Sequence, residues 1–369
     1  MVGLEALPLP AREMVVLCLR PLPRVRKRFD SVKPDELRAL PFVSRGSLAA
    51  LKELRMPMGY LRTSTVEEAV RQANALHRAW DLATLRLSRT NATDMSALTS
   101  CATLHKLVLS GCSELTDLSA LVGCAALNRL ELAYCNRVTD LSALSGCPAL
   151  AELNMSFCDG VADLSGLAGC TTLHTLSFGQ CGQLRDVSAL VGCAALRKLD
   201  LQFCDRVIDL SLAGCPALAE LGMSFCDGVT DLSGLAGCTT LHTLNFWYCH
   251  QLTDVSALAG CAALHMLRLE ECENVADVSA LAGCAVLHTL NLASCHQLTD
   301  VSALGGCATL HTLNLSHTEA RDVSALGGCA ALREITLCGC EGVRGVSVLG
   351  RKVRVGGFRA PPGHMGLWV

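Results

Sequence analysis

Leucines recur along most of this chain in the pattern L-x-x-L-x-L, in which apolar and polar positions alternate over the last four residues. Twelve copies begin at Leu82, Leu104, Leu127, Leu150, Leu173, Leu196, Leu218, Leu241, Leu264, Leu287, Leu310 and Leu332. Alternation with a period of two predicts a short β-strand whose leucines share one face. Because the copies recur every 22 or 23 residues, the sequence predicts a stack of coils that each add one strand to a parallel sheet.

The remainder of each unit predicts a turn, a short helical segment and a return to the next strand. An aspartate opens this segment at positions 94, 117, 140, 163, 186, 209, 231, 254, 277, 300 and 322. Aspartate is a favoured helix N-cap, because its carboxylate accepts backbone N–H bonds. A glycine such as Gly260 closes most segments and suits a left-handed turn. We therefore expect an α/β solenoid with short helical or 3-10 segments on its convex face.

The repeat resembles a known family. Its L-x-x-L-x-L-x-x-C core resembles cysteine-containing leucine-rich repeats, and its D-[LV]-S-x-L continuation resembles internalin-type repeats. The combination is similar to leucine-rich-repeat proteins of kinetoplastid parasites, including those related to the expression-site-associated repeat proteins. The resemblance covers about 82–349. It implies an arc or horseshoe with parallel strands on the concave face, and a role in binding other proteins through that face.

The two ends of the chain lack the repeat. Residues 1–80 form a predicted N-terminal region, where Ser64-Thr-Val-Glu67 is a plausible capping box that would open a helix through about Trp80. We read this helix as a cap on the first coil. Residues 81–349 form the predicted solenoid of about 12 repeats, and residues 350–369 a C-terminal cap and tail. The segment Leu9-Pro-Ala-Arg-Glu13, followed by Val16-Leu-Cys-Leu19, resembles the start of an F-box. The alternative function is therefore a substrate-recognition or regulatory subunit such as an F-box-like ubiquitin-ligase receptor.

Charge and hydropathy limit the classes of partner and compartment. The formal net charge of −3 combines +6 over residues 1–80, −14 over 81–343 and +5 over 344–369. An acidic repeat region does not favour nucleic acid as a partner. No apolar stretch approaches the roughly 18 residues of a membrane span. We expect an intracellular, cytoplasmic protein. For the basic run 24–28, a solvated surface patch and a localisation signal both remain open, so the nucleus is a second option.

Twenty-one of the twenty-three cysteines form two ladders, ten after the strands and eleven after the glycines, and only Cys18 and Cys338 lie off this pattern. A zinc site needs about four ligands that converge on one point, whereas periodic ladders spread their thiols along the axis. We expect reduced, structural thiols and no metal or cofactor. The aspartates offer one strong oxygen ligand per coil, so capping is a better interpretation than a row of calcium sites. Ser, His and Asp pairings follow from the repeat alone, and we predict no enzymatic activity.

Variable positions must carry the function if the invariant ones specify the fold. Polar residues fill the outward strand positions, and most aromatic side chains of the repeat region occupy the two positions after the strand. We predict a partner-binding site of Tyr134, Phe157, Phe203, Phe225, Trp247, Tyr248, Arg268, Glu270 and Glu271. The competing interpretation is an aromatic ladder that only packs the coils together. The sequence identifies neither the partner protein nor the oligomeric state.

Overall fold

The computed structural model describes residues 84–88, 93–350 and 353–357. In these ranges the chain forms thirteen three-residue strands. They are β1 Thr84–Arg86, β2 Lys106–Val108, β3 Arg129–Glu131, β4 Glu152–Asn154, β5 Thr175–Ser177, β6 Lys198–Asp200, β7 Glu220–Gly222, β8 Thr243–Asn245, β9 Met266–Arg268, β10 Thr289–Asn291, β11 Thr312–Asn314, β12 Glu334–Thr336 and β13 Arg354–Gly356. The predicted one strand per coil is confirmed.

All thirteen strands form one parallel sheet in sequence order, without crossing back. The central residue of each strand pairs with the central residue of the next, as Leu85 does with Leu107 and Leu107 with Leu130. These three leucines are fully buried. Each coil therefore stacks its inward side chains on the next coil, and the core runs continuously along the solenoid axis.

Eleven 3-10 helices line the side opposite the sheet. They span Ser96–Ser100, Ser119–Gly123, Ser142–Gly146, Ser165–Leu167, Ser188–Gly192, Ser233–Leu235, Ser256–Gly260, Ser279–Gly283, Ser302–Gly306, Ser324–Gly328 and Val346–Leu349. The coil that starts at Asp209 has no such helix, and it is the coil that lacks one residue in this segment. Ser211 there has a φ of 23°. The shorter segment thus connects to the next strand through a tighter turn in place of the 3-10 helix.

The aspartates stabilise these segments from one position earlier than predicted. In the second unit Leu118, not Asp117, is the N-cap, and it makes no side-chain cap bond. Asp117 Oδ1 instead accepts the backbone N–H of Ser119 at 2.7 Å, which forms an Asx turn that leads into the helix. The same bond is present at all eleven aspartates. The structural role is as predicted, but the N-cap position was wrong.

The glycine prediction was wrong for most coils. Of the glycines after these segments, Gly169 and Gly237 have a positive φ, of 85° and 94°. Six of the others, Gly123, Gly146, Gly192, Gly214, Gly283 and Gly328, lie where neighbouring coils approach closely, whereas Gly260 and Gly306 have room for a Cβ. A Cβ at Gly283 would lie 2.9 Å from the carbonyl oxygen of Ala259 in the preceding coil, and one at Gly146 would lie 3.0 Å from Val122 Cα. Lack of a side chain, rather than a left-handed turn, explains most of these positions.

The cysteine ladders connect neighbouring coils through hydrogen bonds. Cys204 Sγ donates to the carbonyl oxygen of Phe178 in the preceding coil at 3.2 Å, and Cys215 Sγ donates to that of Leu190 at 3.1 Å. Burial raises the pKa of Cys204 to about 12, so its thiol stays protonated and able to donate. Among the described cysteines only Cys338 is exposed. Cysteine therefore fills a small apolar site and also binds a carbonyl between coils.

One strand at the C-terminal end of the described chain was not predicted. Strand β13 lies in the segment predicted as a C-terminal cap, and pairs with β12 although it lacks the leucine motif. Val355 takes the central position, opposite Ile335. The predicted capping helix over 64–80 and the F-box-like segment over 9–19 lie outside the described residues, and the proposed domain boundaries remain predictions.

Candidate functional site: the strand-exit row

In the exit turns of strands β2 to β12, the residue immediately before the cysteine or threonine adopts a left-handed backbone conformation. We call this series the strand-exit row: Gly111, Tyr134, Phe157, Gln180, Phe203, Phe225, Tyr248, Glu271, Ser294, His317 and Gly339. Its φ values lie between 55° and 80°. This region is unfavourable for bulky side chains, and yet five of the row's residues are aromatic.

Hydrogen bonds to the next coil hold this conformation in place. The backbone N–H of Tyr134 donates to the carbonyl oxygen of Ser156 at 2.9 Å, and that of Phe203 donates to Ser224 at 2.8 Å. The first and last members of the row are glycines, which adopt a positive φ without steric cost. The left-handed turn is thus a fixed property of the coil, and the repeat imposes it on whichever side chain stands there.

The aromatic rings of the row stack on one another along the solenoid axis. Tyr134 and Phe157 stack with ring centroids 4.2 Å apart, as do Phe203 and Phe225 at 4.4 Å. Phe225 continues onto Tyr248 at 4.7 Å. The rings nevertheless remain accessible, since Tyr134 is 51% exposed and Phe203 40%. The rings therefore pack together, as an aromatic ladder does, and are also partly exposed, while their role in binding stays a prediction.

Trp247 lies beside the row and contacts further residues of the predicted site. It makes edge contacts with Phe225 and Tyr248, with centroids 5.0 and 5.1 Å away. The Arg268 guanidinium lies 5.7 Å from the centre of the indole. Glu270 binds the same guanidinium through two bonds of 2.9 Å, which raise the pKa of Arg268. Trp247 and Arg268 are half-buried, so this aromatic and charged cluster is pre-organised.

Several polar strand residues have a local role that the sequence analysis missed. Asn154 Oδ1 accepts the backbone N–H of Ser156 at 3.0 Å, and Asn314 Oδ1 accepts that of Ser316 at 3.0 Å. The side-chain oxygens of Asp200, Asn245 and Asn291 likewise accept the backbone N–H of the residue two positions later. These side chains form Asx turns that start the strand-exit turn. Their recurrence at one repeat position was the available signal for this role.

The row is interrupted at Gln180, and a groove lies there. It is lined by Tyr134, Asn136, Phe157, Asp159, Gln180, Gly182 and Phe203, and has a volume of about 310 Å³. Gln180 takes the place of a ring, so Phe157 stacks only on Tyr134 and Phe203 only on Phe225 among the described rings. The nine predicted residues therefore form two neighbouring groups, separated by this groove, rather than one unbroken aromatic stripe.

Solved structures of other proteins share this fold. The internalin InlF of Listeria monocytogenes superposes with a TM-score of 0.60 at 23% sequence identity, covering 80% of this chain and 94% of that one. This chain has the leucine-rich-repeat fold. A leucine-rich-repeat protein of Leptospira interrogans matches with a TM-score of 0.48 at 12% sequence identity, covering 80% of this chain and 88% of that one. The functional domain of Listeria monocytogenes InlJ, which includes a cysteine ladder, matches with a TM-score of 0.43 at 16% sequence identity, covering 69% of each chain.

The sequence comparisons add no narrower family. No protein-family model matches the chain, and no curated protein does. The predicted leucine-rich-repeat solenoid is confirmed, whereas the similarity to kinetoplastid repeat proteins stays a prediction. Because the matched structures are less than 25% identical, they establish the fold of this leucine-rich-repeat chain and leave its function to the geometry of its surface.

The opposite end of the strands carries an imidazole ladder. His265, His288 and His311 stack with centroids 5.0 and 4.9 Å apart, and each Nδ1 faces a carbonyl oxygen two residues earlier in the chain. Across the described ranges no group of three or more His, Cys, Asp or Glu residues could hold a metal ion. In the same ranges no helix is long and apolar enough to cross a membrane.

Proposed function

We propose that this leucine-rich-repeat solenoid is a non-catalytic binding or scaffold module that holds another protein against its strand-exit row and concave face. The observation that carries the proposal is the placement of Tyr134, Phe203, Trp247 and their neighbours on one edge, stacked but partly exposed. Aromatic side chains, together with arginine, dominate binding hot spots. Five coil steps from Tyr134 to Tyr248 span about 24 Å, a length that suits a standard protein interface.

Charged residues of the strands and their exit turns form the polar surroundings of this site. Lys106 and Arg129 both bind Glu131, at 3.2 and 2.9 Å, and Lys198 binds Glu220 at 2.8 Å. The Lys198–Glu220 pair is exposed and the pairs of Glu131 are partly exposed, so each contributes little to stability, but they define a pattern of charge that a partner can match. The Arg268–Glu270 pair and Glu271 bound the aromatic residues at the C-terminal side. A folded protein surface fits this mixture better than nucleic acid does.

We further propose an intracellular, cytoplasmic location, and the thiols support this proposal. Each ladder cysteine that donates its Sγ–H to a carbonyl must be reduced, and a reducing compartment keeps it so. The role of a ligase receptor remains an alternative proposal that no described residue favours.

Trp247→Ala tests the proposed surface. A partner recovered with the wild-type chain should bind this variant with about 30-fold lower affinity, because a half-buried hot-spot tryptophan contributes roughly 2 kcal/mol or more. Val191→Ala is a matched control, since Val191 is 47% exposed on the 3-10 helix side. Calorimetric titration measures both, and thermal melts monitor folding. Equal affinities of the two variants would overturn the proposal.

A further inference from the structure

The groove at Gln180 has features that select a particular side chain. Its two aromatic walls, Phe157 and Phe203, are two coils apart, which corresponds to about 10 Å. Each has one ring face that no described aromatic ring covers. Gln180 provides a carboxamide between them, and Gly182 adds no side chain to the groove. The space therefore suits a flat group that can lie against an aromatic face.

The charge of the groove comes from one carboxylate. Asp159 is exposed, its Oδ1 accepts the Gly182 N–H at 3.3 Å, and among the described residues it takes part in no salt bridge. Asp227 holds the same repeat position three coils later, and there His250 supplies both its backbone N–H at 3.0 Å and its imidazole at 3.1 Å. Because residue 182 is a glycine, Asp159 lacks the side-chain partner that Asp227 has in His250.

Neighbouring cations do not compensate Asp159. Arg137 is engaged by Glu114 at 2.6 Å, and Arg206 donates to Gln183 Oε1 at 2.8 Å. Both belong to pairs on the adjacent turn positions and do not line the groove. The groove is consequently an aromatic slot with one carboxylate free of cationic partners, within a repeat region whose net charge is −14 over residues 81–343.

We infer that this groove binds the guanidinium of an arginine presented by an extended segment of the partner protein. Arginine is planar, stacks on aromatic faces and binds carboxylates through two hydrogen bonds. The guanidinium would stack on one open ring face, that of Phe157 or of Phe203, because the two rings are too far apart for a single flat group to contact both. Asp159 would accept its N–H bonds, and the side-chain carbonyl oxygen of Gln180 would accept a further one. This inference rests on the proposed function and names the chemistry that one part of the interface recognises.

Defined peptides test the inference on the full chain. The probe is an acetylated, amidated nonapeptide of alternating glycine and serine with one central arginine, titrated to about 1 mM and followed by ligand-observed NMR. Its counterpart carries citrulline, which has the same shape without the charge. We expect the arginine peptide to bind with roughly ten-fold lower Kd than the citrulline peptide.

Three substitutions locate the binding in this groove. Asp159→Asn removes the charge, and Gln180→Phe fills the slot with a ring that five equivalent positions already accommodate as Phe or Tyr. Gly182→His recreates the pairing seen between Asp227 and His250, and a Cβ at Gly182 meets only Asp159 Oδ1, at 3.6 Å. Each should reduce arginine binding about ten-fold. Asp227→Asn is the matched control and should leave binding unchanged.

The outcomes are separable from those of the Trp247 experiment. Equal binding of the arginine and citrulline peptides, no binding up to about 1 mM, or equal effects of the Asp159 and Asp227 variants would overturn the inference. So would binding that appears only after the four basic residues of 24–28 are replaced by alanine, because the occupant would then be this chain. Loss of the partner in Trp247→Ala, with no preference for arginine, would retain the proposed function and reject this site.

Discussion

Alkaline pH should unfold this protein at a pH where most proteins are unaffected, because its thiols are buried in the folded state. Burial raises the pKa of nineteen described cysteines above the ordinary value of 9.0. For fifteen of these the raised pKa is about 11 or above. Cys147 has a pKa of about 11 and Cys204 of about 12.

The sign of the effect follows from proton binding. Above pH 9 the unfolded chain loses its thiol protons while the folded chain retains them, so the unfolded state binds fewer protons and the free energy of unfolding falls. The stabilisation is complete below pH 9 and is lost progressively as the pH rises toward 11 or 12. At pH 10 most thiols of the unfolded chain are ionised, so each buried thiol lowers the free energy of unfolding by on the order of 1 kcal/mol. Because many thiols share this effect, their combined loss is comparable with the usual 5–15 kcal/mol stability of a domain.

Thermal melts in a reductant between pH 7 and pH 10 measure this effect. We expect the melting temperature to fall steeply above pH 9 and the fold to be lost by about pH 10. Cys338→Ser is the control, because Cys338 is exposed and its replacement should leave the profile unchanged. A melting temperature that stays constant through pH 10 would refute the reasoning, since the thiols would then be ionised equally in both states.

Two further substitutions test individual features of the coil. Asp186→Ala removes the acceptor of the Ser188 N–H, a bond of 2.7 Å, and should lower the free energy of unfolding in urea by about 1 kcal/mol. Unchanged stability together with a lost affinity for calcium would assign the aspartate ladder a different role. Gln180→Phe should raise the free energy of unfolding by about 1 kcal/mol, because it adds ring contacts to both Phe157 and Phe203. A destabilised variant would show that the row does not accept another ring.

The periodic features of the fold could be predicted from sequence, because each repeated residue type reflects the same contact in every coil. The inward leucines and the aspartate of each of the eleven units are of this kind. Strand β13 escaped prediction, since Val355 alone replaces the leucine motif and its pairing depends on β12. The glycine role was misassigned because a sequence does not show that Gly283 lies against Ala259 of another coil.

The candidate site was predictable in composition but not in geometry. The concentration of aromatic residues after the strands was visible, yet nothing in residues such as Phe203 signals a left-handed backbone, which the coil imposes through a bond to Ser224. Glycines at the first and last positions of the row, Gly111 and Gly339, were the available indication. The groove could not be predicted either. It forms because Gln180 replaces an aromatic ring, and Gly182 lacks a side chain, between two coils that carry Phe157 and Phe203.

Hydroxyl-radical footprinting of the solenoid with and without its bound partner tests most directly whether the strand-exit row is the binding surface. Aromatic side chains react readily, and Tyr134, Phe203, Trp247 and Tyr248 are all at least partly exposed in the free chain. The proposal predicts that the partner lowers their oxidation several-fold, while Val122, 57% exposed on the 3-10 helix side, is oxidised as before. Protection of Val122 with unchanged oxidation of the four aromatic residues would contradict it.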